Sequence, residues 1–133
     1  MDSIPDLVLQ KPPQEIFGWS VLSGNVNGDE CMDIIVGAYF PGDKGRVYIY
    51  FGSELIDTLP DVILTGQSTE ESFGGSVSGS EDVNGDGYAD VIVGTAIGTG
   101  KAYLYFGGSP MDSLPDLIFP EGGPYVSFCG DLN

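Results

Sequence analysis

The sequence contains no histidine, only two cysteines and only four basic residues among 133. Without histidine the chain lacks the commonest general base and the usual zinc ligand, and two cysteines cannot form a tetrathiolate site. Its net charge of −16 repels the phosphates of nucleic acids and the headgroups of anionic lipids. We therefore expect no nucleic-acid partner and no histidine-dependent enzyme, and we expect cations to be the preferred ligands.

Long apolar runs are also missing. The longest, residues 33–40, is far shorter than the roughly 20 residues that cross a bilayer, so we predict no membrane insertion. Residues 1–6 have neither a basic start nor an apolar segment, so the chain shows no signal peptide. The 21 glycines and 9 prolines indicate many turns, while 41% hydrophobic residues leave enough material for a core. These features predict a single folded module over residues 1–133.

A repeat is the strongest pattern in the sequence. Pro5, Pro60 and Pro115 follow one another at intervals of 55 residues, each within a similar segment. The dipeptide Phe17-Gly18 likewise returns as Phe73-Gly74. A fixed period of this length indicates a repeat architecture. We assign the first unit to residues 11–66, the second to 67–122 and a partial third repeat to 123–133.

Each unit contains four short runs of aliphatic and aromatic residues separated by Gly, Asp, Asn and Ser, without helical spacing. The predicted strands are 18–22, 33–38, 47–51 and 62–64, then 74–78, 90–95, 102–106 and 117–119, with orphan strands at 7–9 and 125–129. A sheet of four short antiparallel strands buries little alone and packs radially in propellers. The predicted fold is all-β, with two four-stranded antiparallel blades of a β-propeller plus orphan flanking strands.

The loop between the first two strands of the second unit is rich in oxygen side chains, at loop positions 1, 3, 5 and 9. Hard oxygen ligands at alternate positions can surround one Ca²⁺ at about 2.3–2.6 Å, and glycine at position 6 allows the sharp turn. Position 12 is Val93 and strands flank the loop, so this is not an EF-hand. The candidate calcium ligands are Asp82, Asn84, Asp86, the backbone carbonyl of Tyr88, and Asp90.

The first unit carries a weaker copy of this loop. Its candidate ligands are Asn25, Asn27, Asp29, the backbone carbonyl of Cys31, and Asp33. Two carboxylates replace three, and Glu30 occupies the turn position held by glycine in the second loop, so we predict lower calcium affinity here. The alternative is that both loops are only tight turns, because Asn, Asp and Gly favour turns whatever they bind.

Together these elements resemble the FG-GAP repeat of integrin alpha-subunit β-propellers. The matching elements are the Phe-Gly dipeptides, the Asp-x-Asn-Gly-Asp-Gly loop, Gly37-Ala38 and Gly94-Thr95-Ala96, and the Tyr-x-Tyr-x-Phe-like strands. The resemblance covers roughly residues 14–122. It implies one four-stranded blade per repeat, Ca²⁺ in the loops on the face away from the ligand-binding side, and an extracellular or cell-surface location.

The leading functional hypothesis is a calcium-binding, non-enzymatic module for protein or glycan recognition, as in adhesion. We expect it to self-associate as a homo-oligomer that completes a propeller, because exposed apolar sheets favour association. One alternative is a lectin-like protein that stacks sugars on Trp19, although we expect Trp19 to pack in the core. The other alternative is a non-functional fragment of a longer propeller.

An Asp-based hydrolase is disfavoured. The acidic residues cluster in turn loops at calcium spacing, whereas acid–base catalysis needs a positioned pair of groups in a cleft. The two cysteines, Cys31 and Cys129, can form a disulfide only if their Cα atoms lie within about 7 Å. The sequence leaves open whether they pair, remain free or bond to another chain.

Overall fold

The computed structural model describes residues 3–10, 15–79, 81–96, 100–121 and 126. The described residues form eight strands: β1 Ile16–Gly24, β2 Asp33–Tyr39, β3 Arg46–Tyr50, β4 Val62–Thr65, β5 Phe73–Gly79, β6 Val91–Thr95, β7 Ala102–Tyr105 and β8 Leu117–Phe119. They build two antiparallel sheets in the orders β1-β2-β3-β4 and β5-β6-β7-β8. This confirms the predicted all-β fold of two four-stranded blades. None of these residues form a helix long and apolar enough to cross a membrane.

The first strand of each sheet begins at the Phe-Gly dipeptide, earlier than predicted. In β1, Phe17 pairs with Ala38 and Ser20 with Gly37, so the pairing slips by a bulge between them. Gly18 lies in this bulge with a φ of 84°, and Gly74 has a φ of 85° at the same point in β5. Bulges of this kind favour glycine because other residues are strained at positive φ. The Phe-Gly dipeptides at 17–18 and 73–74 therefore mark the β-bulge in the first strand of each sheet.

The predicted orphan strand at 7–9 is wrong, because these residues have no strand assignment. The segment instead lies across the first sheet. Gln10 N–H donates to Thr58 O at 3.3 Å, the Tyr50 hydroxyl donates to Gln10 O at 3.1 Å, and Leu9 packs on the sheet face. These contacts hold the segment in place of the regular backbone hydrogen bonds by which a strand pairs with its neighbour. The predicted strand 125–129 and the partial repeat 123–133 lie outside the described residues, except Val126, which is not in a strand.

The main core lies between the two sheets, where β5 contacts β1, β2 and β3. Its buried members include Ile35, Val47, Ile49 and Leu64 from the first sheet and Phe73, Val91, Val93, Tyr103 and Tyr105 from the second. The opposite face of the first sheet forms a smaller cluster of Val36, Ala38, Tyr48 and Tyr50, covered in part by Leu9 and Phe17. Successive residues of a strand face opposite sides of the sheet, and both faces of the first sheet are covered. Its central strands, β2 and β3, are therefore apolar on both faces.

A buried carboxylate lies two residues before each of the Phe-Gly dipeptides at the starts of the two sheets, Phe17-Gly18 and Phe73-Gly74. Glu15 accepts a hydrogen bond from the Tyr48 hydroxyl at 2.6 Å and pairs with the Arg46 guanidinium. Burial and the hydrogen bond to Glu15 raise the pKa of Tyr48. The second unit repeats the arrangement with Glu71, Tyr103 and Lys101. Because each buried acid is both hydrogen-bonded and paired with a cation, its desolvation is compensated, and the start of each sheet is tied to its third strand.

Candidate metal centre

The two oxygen-rich loops lie at the same end of neighbouring sheets. The first connects β1 to β2, and the second connects β5 to β6. Gly24 pairs with Asp33 and Gly79 pairs with Val91 at the strand ends from which the loops leave. A hydrogen bond of 2.9 Å from Ala89 N–H to Asn25 O joins the two loops. The fold therefore brings both sets of candidate ligands to one edge of the molecule.

Asp82 organises the start of the second loop. Its Oδ1 accepts hydrogen bonds from the N–H groups of Gly85 at 2.6 Å and Asp86 at 3.1 Å, and its Oδ2 accepts one from Gly87 at 2.7 Å. These bonds, led by the one from Gly87, lower the pKa of Asp82. Its carboxylate is thus ionised at neutral pH and lies on the exposed side of the loop.

Asn84 and Asp86 form the exposed middle of the second loop. Asn84 Oδ1 accepts a hydrogen bond from Asp86 N–H at 3.0 Å, and Asn84 Nδ2 donates to Asp86 Oδ2 at 2.8 Å. Asp86 Oδ1 accepts from Tyr88 N–H at 3.0 Å. The turn uses Gly87, which has a φ of 94°. The candidate ligands therefore alternate along one tight turn, as their sequence positions predict.

Asp90, at position 9, is fully buried. Its Oδ2 accepts a hydrogen bond from Val83 N–H at 2.8 Å, and its Oδ1 accepts one from Gly107 N–H at 2.9 Å. The carboxylate thus clamps the second loop to the segment after β7. Burial raises the pKa of Asp90, and the nearby charges of Asp86 and Asp82 add to that effect. The second loop thus carries three acidic side chains, and the charges of the two exposed ones act on the buried one.

The first loop repeats this design with Asn25 in place of Asp82 and Glu30 in place of Gly87. Asn25 Oδ1 accepts a hydrogen bond from Gly28 N–H at 2.7 Å. Asn27 Nδ2 donates to Asp29 Oδ2 at 2.8 Å, and Cys31 N–H donates to Asp29 Oδ1 at 2.9 Å. The first loop thus has the same fold as the second, with two carboxylates instead of three at the candidate ligand positions.

Asp33 closes the first loop as Asp90 closes the second. It is fully buried, its Oδ2 accepts from Val26 N–H at 2.7 Å, and its Oδ1 accepts from Gly52 N–H at 2.9 Å. Burial raises the pKa of Asp33, and the charge of Asp29 contributes to the increase. Glu30 takes the turn with a φ of 71°. A non-glycine residue in this left-handed conformation costs about 1–2 kcal/mol, which weakens the first loop relative to the second.

The donor set of both loops suits calcium in its chemistry, because every candidate ligand atom is a carboxylate, amide or carbonyl oxygen. Among the residues that the structure describes, no three Asp, Glu or Cys side chains are grouped so that they could hold a metal ion. The carboxylates instead accept hydrogen bonds from the N–H groups of their own loops. The observation that favours a cation is electrostatic: the charges of Asp82 and Asp86 raise the pKa of the Asp90 carboxyl, so these charges are close enough to repel.

A pocket of about 250 Å³ opens between the two loops. It is lined by Gly24, Asn25, Met32, Asp82, Gly87, Tyr88 and Ala89. The first candidate ligand of each loop, Asn25 and Asp82, therefore borders the same space. The loops are neighbours, with solvent reaching between them.

Other residues singled out in the sequence occupy different places. Cys31 is a half-buried free thiol, and Cys129 lies outside the described residues. The expectation that Trp19 packs in the core is wrong, because its side chain is 56% exposed. The Trp19 ring meets the edge of Tyr39, with centroids 5.1 Å apart. Tyr39 ends β2, whereas the first loop precedes it, so this aromatic pair lies at the opposite end of the sheet from the loops.

Sequence reasoning missed two glycines that complete the buried carboxylate clamps. The N–H groups of Gly52 and Gly107 are the distal partners of Asp33 and Asp90. Each glycine is the second residue after the third strand of its unit, in Phe51-Gly52 and Phe106-Gly107. The repetition of this Phe-Gly pair at matching places was the available signal, although its partner lies 17 or 19 residues away along the chain.

The sheets and loops define a repeat protein of the β-propeller type. A family model described as "FG-GAP repeat" matches residues 17–50 and 73–105. The chain belongs to the FG-GAP repeat family.

Its relatives are much longer proteins. It is 42% identical over 103 residues to integrin alpha-7 of Rattus norvegicus, a match that covers 75% of this chain and 9% of the relative. It is 31% identical over 116 residues to integrin alpha-5 of Xenopus laevis (77% and 11%) and 32% identical over 123 residues to integrin alpha-PS5 of Drosophila melanogaster (84% and 12%). The chain thus spans about a tenth of the length of these relatives.

Proposed function

We propose that this chain is a calcium-binding, non-enzymatic recognition module of an adhesion-type β-propeller, located outside the cell or on its surface. The similarity to integrin alpha proteins supports the recognition role and the location. The calcium proposal is carried by the oxygen-rich donor set of the second loop, in which the charges of Asp82 and Asp86 add to the raised pKa of Asp90, because a divalent cation would relieve this repulsion. The unit boundaries at 11–66 and 67–122 belong to the same proposal.

In the second loop, calcium would be held by the side chains of Asp82, Asn84, Asp86 and Asp90 and by the carbonyl of Tyr88. In the first loop, the ligands would be the side chains of Asn25, Asn27, Asp29 and Asp33 and the carbonyl of Cys31. The cation would supply charge neutralisation and fix the loops, with no catalytic step. The chain's own hydrogen bonds hold each loop in a tight turn, which reduces the ordering cost of binding.

Calorimetric titration of the full chain with Ca²⁺ tests this proposal. We expect two sites, the tighter one in the second loop because it has three carboxylates. Asp86→Ala is expected to weaken the tighter site at least about tenfold, since removal of a charged ligand costs more than about 1.4 kcal/mol. Asp29→Ala should weaken the site in the first loop to a comparable degree.

Asp112→Ala is the matched control. Asp112 is an exposed turn residue outside both loops, where its Oδ1 accepts a hydrogen bond from Leu114 N–H at 2.8 Å. This variant removes the same charge and should leave calcium binding unchanged. If the unsubstituted chain takes up no calcium at millimolar concentration, the calcium proposal is refuted.

The recognised partner is proposed to be a protein or a glycan. One observation favours the lectin-like alternative: the exposed Trp19 ring beside Tyr39 offers an aromatic surface of the kind on which sugars stack. A glycan array probed with the chain and with Trp19→Ala distinguishes the two. Binding that disappears in the variant supports the lectin-like role, and an array without binding counts against it. Self-association as a homo-oligomer and the non-functional-fragment alternative remain predictions that no described contact supports.

A further inference from the structure

The main chain of the first loop is hydrogen-bonded both to the second loop and to the segment after β7. Ala89 N–H donates to Asn25 O at 2.9 Å, and Gly108 N–H donates to Val26 O at 2.8 Å. Both acceptors belong to the first two positions of the first loop. Both donors directly follow residues of the second candidate site, since Ala89 follows Tyr88 and Gly108 follows the clamp residue Gly107.

The first of these bonds orients a candidate ligand. The carbonyl of Tyr88 and the N–H of Ala89 belong to one peptide group, which is trans. In a planar trans peptide the two groups point in opposite directions. The bond to Asn25 O therefore sets the direction of the Tyr88 carbonyl, away from the first loop. A cation on that carbonyl would polarise the peptide and strengthen its hydrogen bond to Asn25.

The second bond links the two buried carboxylates. Val26 N–H donates to Asp33 in the first loop at 2.7 Å, while Val26 O accepts from Gly108. The preceding residue, Gly107, donates to Asp90 at 2.9 Å. Three hydrogen bonds, joined through the main chain of Val26 and of Gly107-Gly108, thus connect the ninth position of one loop to the ninth position of the other.

Side-chain packing adds a third connection. The Tyr88 ring lies directly on Gly28, in the turn of the first loop, because a Cβ built on Gly28 would lie 2.6 Å from the Tyr88 ring. A Cβ on Gly107 would lie 2.7 Å from both Tyr88 Cβ and Val26 O. The Tyr88 ring therefore packs directly on the turn of the first loop, and Gly107 packs against both loops, so a shift of the first turn would displace the Tyr88 ring.

We propose that the two loops form one coupled cation-binding unit, in which the first loop positions the Tyr88 carbonyl and calcium in either loop raises the affinity of the other. This inference rests on the calcium binding proposed above and adds its regulation. Coupling between sites in proteins is commonly about fivefold or more in affinity. Tyr88 acts on the first loop as a positioning residue, because none of its atoms is a candidate ligand of that loop.

Calcium titrations followed by ¹⁵N–¹H spectra of the full chain test the coupling. The amide signals of Gly28 and Gly85, which occupy the same position in the two loops, report each loop separately. Asp86→Asn disables the second loop, and Tyr88→Ala removes the ring contact without changing the charge or the main-chain carbonyl. Each variant is expected to raise the midpoint of the Gly28 signal by about fivefold or more. Tyr39→Ala, at the far end of β2, is the matched control and should leave both midpoints unchanged.

The outcomes separate the coupling from calcium binding itself. If the Gly28 midpoint in both variants stays within twofold of that in the unsubstituted chain, the loops are independent and the coupling is overturned, while calcium binding stands. A first loop that takes up no calcium in the unsubstituted chain also overturns the coupling. If neither signal responds to calcium in the unsubstituted chain, the proposed function fails and the coupling fails with it. A raised midpoint in Asp86→Asn alone would assign the effect to charge and overturn the role of the Tyr88 contact.

Discussion

Asp90→Ala is expected to lower the free energy of unfolding by about 3 kcal/mol. The substitution removes both acceptors of a fully buried carboxylate and leaves the N–H groups of Val83 and Gly107 without these partners. The Gly107 bond is buried and the Val83 bond is partly buried. An unsatisfied buried donor costs about 1–3 kcal/mol, and the Val83 N–H adds a smaller cost. Urea unfolding in the presence of a chelator measures the loss separately from any effect of calcium.

Two variants calibrate this result. Asp90→Asn keeps one acceptor oxygen. It also removes a buried charge, and burial raises the pKa of Asp90 because it disfavours the ionised form. Asp90→Asn should therefore lower the free energy of unfolding less than Asp90→Ala does. Asp86→Ala changes an exposed residue of the same loop and should cost less than about 1 kcal/mol. Equal losses for Asp90→Ala and Asp86→Ala would show that the buried clamp does not stabilise the fold.

Phe73→Ala is expected to cost about 3–5 kcal/mol, because it leaves a cavity in the core between the two sheets. Phe73 is fully buried, and its ring centroid lies 5.4 Å from that of Tyr103 and 6.2 Å from that of Tyr105. Urea unfolding followed by circular dichroism measures the loss. If the alanine variant does not fold, Phe73→Leu fills most of the space and should still lose about 1 kcal/mol or more.

The first unit provides the matched control for this prediction. Phe17 occupies the same place in its repeat, with its ring 5.8 Å from that of Tyr48, but it is only half-buried because the second sheet packs on the other face. Phe17→Ala should therefore lower the free energy of unfolding clearly less than Phe73→Ala does, because folding buries less apolar surface of the side chain at this position. Equal costs for the two variants would contradict the assignment of the main core to the face between the sheets.

Local patterns in the sequence were enough to predict the strands and loops. The runs around Val36 and Val93 are apolar on both faces and are bounded by turn residues, which is typical of short strands in packed sheets. The alternation of oxygen side chains from Asp82 to Asp90 predicted a tight loop, and its hydrogen bonds span only two to five residues within the turn. Elements of this kind depend on neighbours along the chain, so periodicity and turn chemistry reveal them.

Contacts between distant residues required the tertiary structure. The strand predicted at 7–9 was wrong, because a run of apolar residues does not show whether the segment pairs with a neighbouring strand or packs on the face of a sheet. Leu9 packs on the face of the first sheet. Trp19 lies within the bulge of β1, between the paired residues Phe17 and Ser20, and its side chain is exposed. The tyrosine partner of Glu15 is 33 residues away in the sequence. Such pairings depend on how the sheets come together.

The sequence by itself determined the repeat, the all-β class and the two oxygen-rich loops, because period, strand alternation and turn residues are properties of short segments. Only the tertiary structure decided that the loops touch, that Asp33 and Asp90 are buried clamps, and that Asn25 orients the peptide after Tyr88. The reason is that hydrogen bonds and burial across two sheets join residues that are far apart in the chain, and they form only when the sheets pack in one particular register.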